Sequence, residues 1–582
     1  MSDSKPHGPF VSPVSDHDRI VVFLSILLAL FLSALDQTIV ATALPRMVAD
    51  LEGVERYAWV STSYLLASTG LALVYGKLAD TYPRKFVTLG AVGLFLAGSV
   101  LSGMAGEFGD LPVLGDGMTQ LVLFRGIQGA GGGGIFAMAF IVIADLFTPS
   151  ERGKYQGFVG AVFGIASVLG PLIGGLLTDH AGAWIPGVEG WRWVFYVNIP
   201  LGGLALWFII RKMPRLDPPE KQARPDFLGA MLLLGGLIPL IMSLQIDKRR
   251  YPWIPGAAPL EGAEAWQSWA TLGLFLGGVA LLSLFVRRSR TYPGPILDLR
   301  LFSEPVFRSA TAASFFVGAS FMSVPIFLPL FLVSVLGVSA TQAGAALIPF
   351  SMGLVLSATL SGQFVNRVGY RRPIAAGAGI FSLAAVLLAL MGPDVSYGRV
   401  TVFMVMTGFG VGPSMPLLTL AIQNAADVRM IGQATSASQF FRQIGATVGT
   451  AVMGSVLAVT LSVSFATIGQ DVTTRTNGEV VAQEYVATGG AQLPESIRAS
   501  FDARAAAEDD AVQADLLRTE GVRVSERIEG EIKGAFARAT RRIYALAALL
   551  IAIAGILAMR IPEIPLRTTH DRAERAVSDA QT

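Results

Sequence analysis

The sequence contains no cysteine and only four histidines, His7, His17, His180 and His570. Disulfides, thiolate chemistry and cysteine-based metal sites are therefore excluded, and no histidine lies in an apolar run. Charged residues make up 15% of the chain, against about 25% in an average soluble protein. The net charge of +2 says little about partners, because the charges are segregated by membrane side rather than pooled in one basic patch. We expect no metal site, no cofactor and no nucleic-acid partner.

Long apolar runs dominate the 582 residues, of which 52% are hydrophobic, with a mean hydropathy of +0.57. A run of about 20 apolar residues is long enough to cross a bilayer as a helix. We therefore predict an all-α membrane protein with fourteen transmembrane helices. The predicted spans are 20–44, 58–78, 86–106, 119–144, 155–179, 192–211, 227–247, 269–287, 308–336, 343–366, 373–392, 399–424, 434–466 and 541–562.

Lysine and arginine are concentrated in alternate short loops between these spans. The positive-inside rule assigns such loops to the cytoplasm. We therefore predict a multi-pass protein of the cytoplasmic membrane with both termini in the cytoplasm. Residues 1–19 are polar and are predicted to be a disordered cytoplasmic N-terminus, and residues 563–582 a cytoplasmic tail.

An internal repeat divides the chain into two halves. Residues 76–85 follow the second span and residues 362–372 follow the tenth, and both combine a glycine, an Asp or Asn four positions later and paired basic residues. The offset of eight spans indicates two six-helix bundles separated by two inserted helices. The predicted units are the N-terminal bundle 20–211, a linker 212–307 with inserted helices 7 and 8, helices 9–13 at 308–466, an extracytoplasmic acidic helical loop 467–540 and helix 14 at 541–562.

The loop 467–540 is the one extended polar segment between spans. Ile528, Ile532 and Phe536 recur at intervals of four residues, a spacing typical of one helix face. Two interpretations are open for this loop. It is either a solvated helical hairpin over the outer mouth of the protein or a docking arm for an extracytoplasmic partner protein.

Asp36 is the most unusual residue of the first span, because a carboxylate at the centre of a transmembrane helix costs about 2.5 to 3.5 kcal/mol. Arg125 lies in the fourth span. At 1.5 Å per residue, the two lie roughly 12 and 9 Å from the outer ends of their spans, so they can meet in the N-terminal bundle. Competition between the guanidinium, a proton and substrate would make Asp36 a proton-coupling site. The alternative is a static ion pair that joins the two helices.

Five segments carry a family resemblance. Residues 35–45 resemble the first-helix signature of fourteen-span drug:proton antiporters, and residues 76–85 are similar to the inner-loop signature of the major facilitator superfamily. Residues 123–129 resemble the fourth-helix signature of the superfamily, and residues 164–175 resemble the fifth-helix signature of its antiporters. Residues 191–200 match a segment of the fourteen-span branch. The resemblance implies a major facilitator fold, with two six-helix bundles plus two inserted helices.

Gating is predicted from the inner loop and from the fifth span. Asp80 can pair with a basic residue on a neighbouring inner loop, although a solvated loop that only sets topology is the alternative. The small residues of the fifth span allow close helix packing, and the resemblance implies that they pack at the interface between the bundles. The candidate gating residues are Gly76, Asp80, Arg84, Lys85, Gly164, Gly170, Pro171 and Gly174.

Substrate binding is predicted in a central cavity between the bundles. Arg442 is the only basic residue deep in the second bundle, and its partner is left open among substrate, helix carbonyls and nearby glutamines. Aromatic residues of the ninth span are candidates for an apolar cavity wall, or they face lipid or neighbouring helices. The candidate substrate-binding residues are Gln37, Phe315, Phe316, Phe321, Met322, Gln439, Arg442 and Gln443.

The run of glycines from Gly129 to Gly134 is not a phosphate-binding loop, because it lies inside a span and lacks the Gly-Lys-Ser/Thr ending. We predict no enzymatic activity. The predicted function is proton-coupled antiport that exports small amphipathic compounds by alternating access, with protons, substrate and the lipid bilayer as partners. A lipid or fatty-acyl exporter and a non-transporting membrane sensor or assembly protein remain as alternatives.

Overall fold

The computed structural model describes residues 16–51, 56–109, 115–184, 188–217, 225–245, 269–338, 340–392, 395–475 and 493–566. Residues 1–15, 476–492 and 567–582, which include most of both predicted terminal segments and an early part of the predicted loop, lie outside this description. The α-helices are α1 Asp16–Asp50, α2 Tyr57–Thr81, α3 Arg84–Gly103, α4 Gly117–Leu146, α5 Pro149–His180, α6 Trp193–Tyr196, α7 Asn198–Lys212, α8 Phe227–Gln245, α9 Trp269–Thr291, α10 Pro305–Phe321, α11 Ser323–Ser334, α12 Ala340–Ala345, α13 Leu347–Val368, α14 Arg371–Ala389, α15 Tyr397–Val411, α16 Ser414–Ala425, α17 Ile431–Arg475, α18 Leu493–Ala506 and α19 Ala511–Met559.

Each of the fourteen predicted spans coincides with at least one of these helices. Within the described residues, twelve helical segments are long and apolar enough to cross a membrane. The helix at Tyr57–Thr81 is not among the twelve, and the one at Phe227–Ser243 is a shorter apolar helix. The all-helical membrane architecture is therefore confirmed, whereas the count of fourteen crossings is not.

Four predicted spans are each divided into two helices, at 192–211, 308–336, 343–366 and 399–424. Each break lies three to four residues before a proline, namely Pro200, Pro325, Pro349 and Pro416. Proline has no N–H to donate to the carbonyl four residues earlier, and its ring crowds that carbonyl, so the helix breaks at that point.

Local capping explains where several helices begin. Pro149 is the first residue of α5, and Thr148 and Glu151 form a capping box around it. Asp116 caps α4 by accepting a hydrogen bond of 2.8 Å from Thr119 N, and it also binds Arg56. Burial opposes ionisation of this carboxyl, but the hydrogen bonds from Arg56 and Thr119 outweigh it and lower the pKa of Asp116.

Buried apolar clusters follow the two halves. The first half, α1 to α7, has clusters between its own helices. The second half, α10 to α19, holds most of one large cluster, which α8, α9 and Leu73 and Val74 of α2 join. The pair α8 and α9 packs backbone to backbone where Gly236 and Gly278 meet, and Asp226 binds Arg288 at 2.7 Å. A Cβ at Gly70 would overlap Leu234, so this pair packs against α2 of the first half.

Helices α17 and α19 are much longer than a membrane span, with 45 and 49 residues. At 1.5 Å per residue they measure about 68 and 74 Å, against about 30 Å of hydrocarbon. Helix α19 is continuous across residues 540 and 541, where a loop was predicted to meet the last span. Ile528, Ile532 and Phe536 are buried, and α18 packs on α19 through Phe501 at Gly521.

Residues 562–565, which follow α19, pack against the second half. Tyr370 Oη donates a hydrogen bond of 2.6 Å to the Pro562 carbonyl and accepts one of 2.7 Å from Ile564 N. Asn424 donates to the carbonyls of Ile564 and Pro565. The first residues of the predicted tail are therefore part of the folded structure.

Candidate functional site

Asp36 lies in a closed polar pocket inside the first half. Its side chain is 0% exposed, and Arg125, which it binds at 2.5 Å, is 1% exposed. The other carboxylate oxygen accepts hydrogen bonds of 2.7 Å from Gln128 Nε2 and 3.1 Å from Asn198 Nδ2. Helices α1, α4 and α7 thus each contribute a side chain, and the ion pair that spacing alone allowed is present.

Arg125 is held from several sides. It donates 2.6 Å to Gln128 Oε1 and 3.4 Å to the Val60 carbonyl. Its guanidinium lies 4.4 Å from the centre of the Tyr64 ring and 5.8 Å from that of Phe195. The site therefore combines one acid and one base of opposite charge with neutral donors and aromatic faces, which is how a buried ion pair is made tolerable.

The close approach of α4 to α2 explains how this pocket forms. A Cβ at Gly129 or Gly133 would overlap the backbone of Tyr64 or Ser68, and one at Gly132 would overlap the Tyr64 hydroxyl. The glycine run therefore brings α2 against α4, and Tyr64 covers the Arg125 guanidinium. Its function is helix packing, consistent with the absence of a phosphate-binding motif.

Sequence reasoning did not identify Gln128 and Asn198 as part of the site. Gln128 lies one helical turn after Arg125, on the same face of α4. Asn198 is in the family-like segment 191–200, but its distance from Asp36 along the chain is large. The three-residue spacing from Arg125 could have identified Gln128, whereas the contact of Asn198 depends on the packing of α7 against α1.

The second polar cluster lies where α2 meets α17. Asp80 accepts hydrogen bonds of 2.9 Å from Gly432 N and 2.8 Å from Gln433 N. Arg84 lies 3.7 Å from Asp80 and binds Asp145 at 3.0 Å. The predicted partner of Asp80, a base on a neighbouring loop, was therefore wrong, because the partner across the two halves is the positive end of the α17 dipole.

The same end of the molecule is closed by tight packing. A Cβ at Gly76 would overlap Ser436, which brings α2 against α17. Lys85, in contrast, donates 2.8 Å to the Ile210 carbonyl within the first half. We call this the basic end, since it holds the loops 82–83, 147–148 and 369–370 with their flanking basic residues.

Helix α5 uses its small residues in two directions. A Cβ at Gly164 would overlap Val355 of α13, so this residue lies at the interface between the halves. At Gly170 and Gly174 a Cβ would overlap Thr38 and Thr42 of α1, within the first half. The expectation that the whole stretch packs between the halves was wrong for these two glycines, and α5 is unbroken through Pro171.

Arg442 lies on α17 and is 8% exposed. It donates to Gln439 Oε1, and its guanidinium lies 5.3 Å from the centre of the Phe136 ring in the first half. Gln443 next to it accepts a hydrogen bond of 2.7 Å from Thr69 Oγ1, also across the halves. These residues meet between the halves, at about 17 Å from the start of α17.

The remaining predicted substrate-binding residues do not join the cluster around Arg442 in the contacts described. Gln37 is exposed and donates 3.3 Å to the Ser33 carbonyl. Phe316 and Phe321 are half-buried and pack against the core of the second half, as the alternative interpretation expected. The predicted cavity-lining role of Phe315, Phe316, Phe321 and Met322 stays a prediction.

A buried glutamine cluster between the halves was also missed. Gln156 of α5 donates 2.8 Å to Gln423 Oε1 of α16. The Gln423 amide in turn donates 3.2 Å to the Phe140 carbonyl of α4 and 3.1 Å to Thr435 Oγ1. This cluster joins four helices from both halves on the side of the basic end.

Comparison with known proteins agrees with this architecture. Residues 26–450 match the family model of the Major Facilitator Superfamily. The multidrug transporter protein MdtP of Bacillus subtilis (strain 168) is 36% identical over 443 residues, which cover 75% of this chain and 75% of that protein. Multidrug resistance protein 3 of the same organism is 37% identical over 435 residues, covering 75% and 79%.

A solved structure of a double-tryptophan mutant of XylE superposes with a TM-score of 0.55 at 14% identity, covering 94% of this chain and 97% of that one. At this identity the likeness shows the fold alone. The fold likeness, the all-helical architecture and the family match over residues 26–450 lead to one conclusion. The chain is a multi-pass membrane protein that belongs to the Major Facilitator Superfamily.

Proposed function

We propose that this protein exports small amphipathic compounds across the cytoplasmic membrane in exchange for protons. The observation that carries the proposal is the buried Asp36 with its three donors, since an ionisable residue at this depth in a membrane helix is rarely structural alone. The relatives named as multidrug transporters support the substrate class. The basic loops support a cytoplasmic assignment for the basic end and for both termini.

Alternating access follows from the packing of the two halves. Gly164 lies near the middle of the contact between α5 and α13. At the basic end itself, the Asp80 contact to α17 and the backbone contact of Gly153 in α5 with Gly362 in α13 join the halves. Both contacts break if the halves rock to open that end. Within the first half, loss of the charge on Asp36 weakens its attraction for Arg125 and frees the guanidinium and the amides to rearrange.

Transport by an Asp36→Asn variant tests the coupling. The substitution keeps the size of the side chain but removes its titration, so we expect at least a tenfold loss of export driven by a pH gradient in proteoliposomes. Asp116→Asn is the matched control, because Asp116 caps the start of α4 and has no contact with Asp36 in the hydrogen bonds described. Export by Asp36→Asn equal to that of the unaltered protein would show that Asp36 is only a static ion-pair partner.

One observation favours the lipid exporter as the second candidate. An open groove of about 470 Å³ lies along residues 451–460 of α17 and reaches Arg542 of α19, and its exposed surface is mostly apolar. Such a groove can accommodate an acyl chain. Release of protons on addition of small drugs, compared with labelled phospholipids, separates the two functions, and the absence of any substrate-linked proton flux favours a non-transporting role.

A further inference from the structure

Arg442 has a fixed position between the two halves. A Cβ at Gly318 would overlap the Arg442 carbonyl, so α10 and α17 are in backbone contact at this residue. The side chain extends toward the first half and lies over the Phe136 ring at 5.3 Å. The guanidinium is therefore positioned by a rigid helix pair rather than by a mobile loop.

The positive charge of Arg442 has no acidic partner within the described part of the chain. The buried carboxylates of that part are engaged elsewhere. Asp36 binds Arg125, Asp145 binds Arg84, and Asp80 binds the first residues of α17. Asp226 binds Arg288, and Asp298 binds Arg300. The partners of Arg442 are a neutral amide and an aromatic face. A buried charge is costly unless it is paired, so this arrangement is suited to a ligand that supplies the opposite charge.

The surroundings of Arg442 are apolar and aromatic on the side of the first half. The Phe136 ring lies 5.4 Å from that of Phe163 in α5 and 5.6 Å from that of Phe140 in α4. A guanidinium binds a carboxylate through two parallel hydrogen bonds, and the rings offer contact area to an apolar body. A few placed polar groups beside an aromatic wall are typical of small-molecule sites.

From this geometry we propose that the exported compounds are amphipathic organic anions. The anionic group binds Arg442 in place of the Gln439 amide, and the apolar body lies against Phe136 and Phe163. This inference rests on the proposed function and narrows it, since an exporter of lipophilic cations would bring a second positive charge to an uncompensated guanidinium. The predicted order of affinity is anion, then neutral compound, then cation.

Three probes with one aromatic body test the proposal: pyrenebutyric acid, pyrenebutanol and pyrenebutylamine. Their binding to the purified full-length protein in lipid nanodiscs is measured by fluorescence anisotropy at pH 7.5, with empty nanodiscs as the blank. We expect the carboxylate to bind at least tenfold more tightly than the alcohol, and the amine to bind most weakly. Arg442→Gln is expected to remove the preference for the carboxylate while leaving the affinity for the alcohol within about twofold.

Two further variants separate charge from folding. Arg442→Lys keeps the positive charge but not the paired hydrogen bonds, so it retains part of the preference. Arg399→Gln removes an exposed arginine near the start of α15 and leaves all three affinities unchanged. Binding of the alcohol by Arg442→Gln demonstrates that the variant is folded.

Export of the same probes by proteoliposomes separates this inference from the proposed function. Proton-driven export of the amine or the alcohol, but not of the carboxylate, overturns the inference and leaves the exporter intact. Equal loss of all three affinities in Arg442→Gln also overturns it. If the unaltered protein exports none of the probes and releases no protons, the proposed function fails and the inference fails with it.

Discussion

Replacing Asp80 by asparagine should open the basic end. Asp80 accepts two backbone hydrogen bonds from the first turn of α17, at 2.9 and 2.8 Å. Asparagine has one accepting oxygen and no charge, so at least one of these bonds is lost together with the attraction to the helix dipole. A hydrogen bond to a charged group contributes about 1.5 to 3 kcal/mol.

These contacts exist only while the halves are closed at this end, so their loss shifts the conformational equilibrium rather than the folding of either half. A shift of about 2 kcal/mol changes the ratio of the two states roughly 30-fold. Since the chain has no cysteine, a single pair of spin labels at K154C and R371C reports the distance across the basic end without background labelling. Both positions are exposed and lie in different halves.

We expect the label-to-label distance to lengthen and the ratio of closed to open molecules to fall by at least tenfold in Asp80→Asn. Asp116→Asn is the matched control, because it also removes the charge of a helix-capping aspartate, but its partners Thr119 and Arg56 belong to the same half. An unchanged distance distribution in Asp80→Asn would refute the reasoning, since it would mean that the contact to α17 does not contribute to closure.

Two further predictions concern the same closure. Gly164→Ala should destabilise the closed state by about 1 to 3 kcal/mol, because its Cβ would overlap Val355. Gly175→Ala is the control: its Cβ meets open space, so it should leave the label distances unchanged. Equal effects of the two substitutions would contradict the packing argument. Gln423→Met leaves the Gln156 amide buried without its acceptor, at a cost of about 1 to 3 kcal/mol. The same labels should then show an opened basic end, and a closed distance would show that the glutamine contact is dispensable.

Sequence reasoning located the acid and base of the candidate site because both are rare residue types in apolar spans. Their depths could be estimated from the helical rise alone. The direction in which a side chain points around a helix of uniform hydropathy is not encoded in that pattern. Asn198 was therefore missed although it donates to Asp36, and Gly170 was assigned to the interface between the halves although it packs on α1.

The partner of Asp80 was missed for a different reason. Backbone N–H groups at the start of a helix are present whatever the residues there, so no residue type at Gly432 or Gln433 marks them as ligands for a carboxylate. The helix breaks before Pro200, Pro325, Pro349 and Pro416 had a visible cause in the sequence. They were not predicted because an apolar run indicates where the chain crosses the bilayer but not whether the crossing is one helix or two.

The length of α19 amplifies any rotation of the second half. Helix α19 is unbroken for 49 residues, about 74 Å, so it turns as one rod with the bundle in which its membrane part is packed. A rocking angle of about 10 degrees around the basic end displaces the far tip by about 13 Å, whereas the bilayer centre moves only a few ångströms. The N-terminal end of α19 would therefore be displaced outside the membrane in each transport cycle.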